Sequence, residues 1–229
     1  MGSDQPSVPR FYVLDEATWS SHDMDCHVLD PVNLGEAPLC PSCGDAIGML
    51  PQLPPYRVEL VLYGRDFGDF VTCSGYDLLV SERFAEAFRA ERLTGLEGFH
   101  PAEVVKVRKK RRGPMPSVVP RYFAVTACFA HAAVDLEHSH IRYSDPITCS
   151  ECLGSGVDAI HGFTLQSGTW RGEDVFRARG LQGRLIVSER FARFVAHHGF
   201  TNIQLVPTEE FVDDPDAPRS PPSTPVAKA

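Results

Sequence analysis

Two stretches of the chain, Leu78–Arg89 (LLVSERFAEAFR) and Leu185–Ala196 (LIVSERFARFVA), share the phrase VSERFA at a separation of 107 residues. An identical six-residue string points to internal repetition, and a repeated unit must fold twice on one plan. The surroundings recur in the same order. Cys40-Pro41-Ser42-Cys43-Gly44 is answered by Cys149-Ser150-Glu151-Cys152 at an offset of 109, and Pro9-Arg10-Phe11-Tyr12 by Pro120-Arg121-Tyr122-Phe123 at 111. Downstream, Gly98-Phe99 and Gly199-Phe200 each precede a β-rich run. The slowly falling offset is what small insertions and deletions in a duplicated unit produce. The expectation is an α+β fold of two tandem, pseudo-symmetric repeats, residues 9–108 and 120–211, each with strands, a CxxC knuckle and one main helix.

Within each repeat the local signals are consistent. Phe11 to Leu14 and Tyr122 to Thr126 read as short strands, and Tyr56 to Tyr63 places Val58, Leu60 and Leu62 in strand alternation. VSERFA then opens a helix. Ser81 and Ser188 suit N-caps, because a serine oxygen accepts from the free N–H groups of the first turn, and Glu82 and Glu189 complement the helix dipole there. Phe84 and Phe88 share one face, as do Phe191 and Val195. Gly95 and Gly199 lie near the expected helix ends, with strands following at Val104 to Val107 and Asn202 to Val206. On this reading VSERFA is a packing element without chemistry.

Three segments fall outside the repeats. Residues 1–8 read as a flexible N-terminus, and MGSDQPSVPR has neither the basic nor the apolar part of a cleaved signal, so a cytoplasmic address follows by default. The tail, 212–229, holds five prolines and almost no large apolar group, a composition that favours disorder. The linker, 109–119, begins with the basic run Lys109-Lys110-Arg111-Arg112; most such runs are solvated loops, and no aromatic interleaving marks this one for nucleic acid. Thirty acidic against 22 basic side chains, a net charge of −8, argue against general nucleic-acid binding.

The chemistry-bearing residues are cysteines. Of seven, four form the CxxC pairs, leaving Cys26, Cys73 and Cys128 unmatched, and the odd total fits a reducing compartment better than a disulfide framework. CPSCG has the form of a zinc-ribbon knuckle: the two-residue spacer lets both thiolates reach one ion, and Gly44 permits positive φ just after it. The second knuckle lacks the proline, and its glycine comes one place later, at Gly154. If each repeat held its own metal, duplication should supply further ligands at matching positions. Yet Cys26 corresponds to Asp135, Cys73 to Gly180, and Cys128 to Ala17 or Trp19. The simplest solution is one shared tetrahedral zinc site, Cys40, Cys43, Cys149 and Cys152, stapling the two halves. His27, His131, His138 and His140 lie near enough in sequence to complete separate sites instead. A thioredoxin-like redox role is disfavoured because Gly44 to Pro51 is a poor helix opening, and no nucleotide loop, GxSxG or HExxH motif is present. Four thiolates leave a zinc ion no open position for catalysis, so no enzyme activity is expected.

Taken together, CPSCG, LPPYRVEL, GDF, LLVSERFAEAF, LTGLEGFHPAEVVKVR, GEDVFRARGLQGRLIVSERFARFV and GFTNIQLVPTEEF resemble the myxobacterial double-CXXCG-motif paralogous family, from Arg10 to Phe211. That resemblance implies an immunity protein of the kind found in Sit-type toxin systems, binding and neutralising a cognate protein toxin. Its partner would be that protein rather than a small molecule, a membrane or nucleic acid, and its acidic scaffold could cover a basic surface on a nucleic-acid-cleaving toxin. The alternative is a zinc-dependent nucleic-acid-binding regulator that uses the basic linker.

Overall fold

The computed structural model describes residues 9–73 and 78–217. In chain order the first half holds β1 (Phe11–Asp15), β2 (Met24–Val28), β3 (Asn33–Leu34), β4 (Gln52–Leu53), β5 (Arg57–Leu62), β6 (Phe70–Thr72), β7 (Leu78–Ser81), α1 (Glu82–Ala90) and β8 (Leu96–Lys109). The second holds β9 (Tyr122–Ala133), β10 (Ile141–Tyr143), β11 (Val157–His161), β12 (Val175–Arg179), β13 (Leu181–Ser188), α2 (Glu189–His198) and β14 (Gln204–Pro207), followed by β15 (Val212–Asp213). The fold is α+β, dominated by one ten-stranded mixed sheet. No helix among the described residues is long and apolar enough to cross a membrane.

The strands that lead into the helices are paired across the chain midpoint. β7 lies against β6 and the start of β9, with Ser81 opposite Tyr122 and Val80 opposite Phe123. β13 lies against β12 and β1, with Ser188 opposite Phe11 and Val187 opposite Tyr12. Each opening strand therefore pairs with the VSER strand of the other half. β9 also pairs with β8, and β1 with β14, all antiparallel. β5 carries more burial than an alternating strand requires: Val58, Leu60, Val61 and Leu62 are all buried, because β2 and β8 flank it and both faces are covered.

Each residue of VSERFA has a structural task. Ser81 and Ser188 cap their helices, their side chains accepting from the N–H groups of Phe84 and Phe191. Their hydroxyls donate in turn to the buried carboxylates Asp69 (2.7 Å) and Asp174 (2.8 Å). Arg83 grips Asp69 through Nε and Nη2 and donates to the carbonyls of His198 and Gly199 at the end of α2. Arg190 grips Asp174 and donates to the carbonyls of Glu91 and Arg92 at the end of α1. Thr201 donates to Asp69 through N and Oγ1, and Thr94 donates to Asp174 in the same way. The two helices are thus reciprocally fastened, each N-terminal arginine placing positive charge on the other's negative C-terminal end. Between them Phe84 meets Phe191, Phe194 and Phe200 at centroid distances of 6.2, 5.6 and 4.9 Å, in the core against β7 and β13.

Three sequence expectations need correction. Gly95 is not the helix stop: α1 ends at Ala90 with Glu91 as its C-cap, Arg92 takes the left-handed conformation (φ 54°), and Gly199 takes it after α2 (φ 59°). Gly95 is required for another reason, since a Cβ there would lie 1.9 Å from the Val175 carbonyl oxygen. Cys26 and Cys73, read as unmatched, form a disulfide, because β2 and the end of β6 run side by side. Order continues past Phe211: Val212 pairs with His161 and Asp213 with Ile160, and the Arg184 guanidinium binds the Asp213 carboxylate. The remaining tail expectation falls on 218–229, and the N-terminal one on 1–8, both outside the described residues.

Candidate metal centre

The first CxxC lies in the loop joining β3 to β4. A tight backbone ladder forms it: Cys40 N–H donates to the Asp45 carbonyl (2.8 Å), Gly44 N–H to Cys40 (2.9 Å), and Ile47 N–H to Pro38 (2.9 Å). Gly44 sits at φ +80°, as a turn closing on the first cysteine demands. The second CxxC lies between β10 and β11. There Leu153 N–H donates to the Cys149 carbonyl (3.0 Å), the same bond that Gly44 makes to Cys40, and Leu153 adopts φ 54°. The second knuckle is thus regular despite having no glycine after its second cysteine. Its geometry is held from outside, for the Cys152 carbonyl accepts from Gly180 N–H (3.1 Å) and Gln182 Nε2 (3.0 Å), and Arg179 donates to the carbonyls of Glu151 and His131.

The structure brings all four sulfurs together, every pair within 4.8 Å. Cys40 Sγ lies 3.8 Å from Cys149 Sγ, and Cys43 Sγ 3.7 Å from Cys152 Sγ. Metal–sulfur bonds of about 2.3 Å in a regular tetrahedron separate the ligands by about 3.8 Å, so these contacts have the length of a tetrahedron's edge. The partners in both contacts are residues 109 positions apart, which is the arrangement of two like knuckles face to face. The cluster could hold a metal ion. It is the one such group of histidine, cysteine and acidic side chains among the described residues; His27, His131, His138 and His140 stand outside it, and His138 is engaged with Asp135.

The four thiols are not alike. Backbone N–H groups of Cys152 and Glu151 bring the Cys149 thiol down to about 7, overcoming desolvation. The Cys43 thiol is pushed up: the Asp45 backbone N–H opposes this, but desolvation, the Asp45 carboxylate 3.3 Å away and the neighbouring thiols prevail. Desolvation also raises Cys152. One thiolate forms readily and then resists the next, so four thiolates together require a cation among them. Cys128, on β9, remains apart from the cluster, and burial raises it to about 11.

Sequence reasoning placed the four cysteines together but missed the two carboxylates that organise the helices. Their signal was present in GDF and EDVF, where Asp69 and Asp174 stand 105 residues apart, close to the 107 that separates the two VSERFA phrases.

The fold and site define an α+β protein built on one mixed sheet, with two helices and a cluster of four thiols. The chain belongs to the Immunity protein family (Imm11), whose model matches residues 63–210. The matched span takes in both VSERFA phrases, both buried carboxylates, Cys149 and Cys152, and begins after Cys40 and Cys43. A comparison with curated proteins found no match.

Proposed function

We propose that this chain is a toxin-immunity protein that binds one cognate protein toxin and neutralises it by covering a surface of it, without catalysis of its own. Membership of the immunity protein family carries this reading. Neutralisation by occlusion needs a stable scaffold and one complementary surface, and specificity then follows from fit and charge. The reciprocal Arg83 and Arg190 fastenings support such a rigid scaffold.

The four cysteines, in this proposal, bind one structural zinc ion through the two CxxC motifs of a double-CXXCG protein of myxobacterial type. The sulfur spacing supports it, and four thiolates leave zinc no open position for catalysis. The chain would be a duplication of one unit, residues 9–108 and 120–211, whose opening strands have exchanged places; the matching registers of β1 on β13 and β9 on β7 support this. A cytoplasmic address is part of the same reading: the four free cysteines of the cluster support it, while the Cys26–Cys73 disulfide pulls the other way.

The test is co-expression with the product of the neighbouring upstream gene in a host that the toxin kills. Survival with the native chain, together with co-purification of the two products, is the expected result. Toxicity unchanged by the native chain would overturn the reading.

A further inference from the structure

On the surface formed by the β5 turn and the linker after β8 there is a cleft of ≈ 710 Å³, lined in part by Trp19, Tyr63, Arg65, Arg111, Arg112 and Met115. Its walls are held by backbone. Arg65 and Asp66 donate their N–H groups to the Ser21 carbonyl (2.7 and 3.0 Å), and a Cβ on Gly64 would lie 2.2 Å from that same oxygen. Across the cleft, Lys110 N–H donates to the Leu62 carbonyl, and Lys109 Nζ to the carbonyl of Pro114, closing the basic loop. Trp19 is 78% exposed and sits at φ +64°, with its N–H donated to Asp23 Oδ2 at 2.9 Å. A large aromatic ring is thus held in water by a backbone conformation that costs free energy.

Charge on this surface is unspent. Lys106 and Arg108, earlier in the basic run, both bind the buried Glu59 carboxylate. Arg65, Lys110, Arg111 and Arg112 make no ion pair among the described residues. Among the nearby carboxylates, Asp66 also lines the cleft, Asp23 accepts from the Trp19 backbone N–H, and Asp25 accepts from Tyr63 (2.8 Å). Tryptophan and arginine are the side chains that most often dominate interface energetics, and methionine adapts to an apolar neighbour.

We propose that this cleft docks an acidic segment of the partner protein, with an apolar side chain of that segment against Trp19 and Met115. The inference rests on the toxin-binding reading, in which the partner is the toxin. Charge complementarity selects the occupant. The chain as a whole is acidic, with a net charge of −8 even with this basic surface included, so a nucleic acid running beyond the cleft would meet repulsion, whereas a short acidic segment ends within it. The basic run read from sequence as a solvated loop becomes, on this proposal, half of a binding site.

The probe is a short dye-labelled peptide of aspartate and glutamate around one leucine, followed by fluorescence anisotropy on the native chain. Controls are the same peptide with asparagine and glutamine, and a single-stranded oligonucleotide of equal charge. The acidic peptide should bind, weaken as salt rises, and lose about tenfold or more in affinity with Trp19→Ala or with Arg65→Glu, Arg111→Glu and Arg112→Glu combined. These side chains lie at the surface, and an unchanged thermal melt would confirm that the variants fold. No binding of the acidic peptide, equal binding of the amide peptide, tighter binding of the oligonucleotide, or indifference to the arginine changes would each overturn the proposal. In the co-expression assay, protection by the native chain and equal protection by the triple variant would refute the cleft while leaving the immunity reading intact. Failure of the native chain would refute that reading instead.

Discussion

Replacing Arg83 with alanine separates a scaffold role for VSERFA from a recognition role. The arginine contributes a two-point grip on Asp69, two hydrogen bonds of 3.2 Å to the end of α2, and a guanidinium 4.7 Å above the Phe200 ring. Asp69 is 5% exposed, and removing the only partner of a buried charge would cost about 3–5 kcal/mol. Here the carboxylate keeps three donors, Ser81 Oγ, Thr201 N and Thr201 Oγ1, at 2.7 to 2.8 Å, so it is not orphaned. The guanidinium is itself half exposed, which screens the pair. A charge-assisted grip of about 1.5–3 kcal/mol at the lower end, plus about 0.5–1 kcal/mol for the ring contact, gives about 2–3 kcal/mol for Arg83→Ala. In a chain of this size that lowers the melting temperature by about 4–12 °C. Arg83→Lys keeps the charge but not the fork, and should recover only part of the loss. Urea titration of the three proteins, with Arg190→Ala as the matching change, measures the effect. A loss below about 0.5 kcal/mol in both alanine variants, accompanied by lost protection against the toxin, would refute the scaffold reasoning.

The same carboxylate gives a pH prediction. Burial works to raise Asp69, but the Arg83, Ser81 and Thr201 donors hold it below the usual carboxylate range, so its contribution is present at neutral pH and is lost as pH falls below about 4. Arg83→Ala should move that acid loss to higher pH; superimposable acid melts would contradict it. On the shared-site proposal, purified chain should carry about one zinc equivalent, and Cys149→Ser should raise hydrogen exchange in residues 38–47 as well as 149–153, because both knuckles would hold the same ion. Two equivalents, or exchange confined to the second knuckle, would count against a common site. Arg92→Gly should stabilise the chain by about 1 kcal/mol, since the exposed Arg92 holds the left-handed conformation that Gly199 supplies after the other helix. A destabilised variant would show that the Arg92 side chain has a part in the fold beyond its backbone conformation.

The sequence by itself determined the local grammar of this protein. β-rich composition located β1 and the first residues of β9, alternation located β5, and Ser81, Ser188 and their phenylalanines announced both helices with their caps and buried face, because those signals act over a single helical turn. The spacing of the cysteines was legible for a similar reason: two residues between thiols is the reach of a knuckle. The tertiary structure decided what meets across a hundred residues. That β1 would pair with β13 and β9 with β7, that Asp69 would take Thr201 while Asp174 takes Thr94, and that Cys26 would find Cys73 are matters of chain path. Their cause is buried charge and sheet hydrogen bonding, which must be satisfied by whichever donor arrives. A recurring phrase tells which residues correspond in sequence, but only the packed chain settles which distant donor completes each of them.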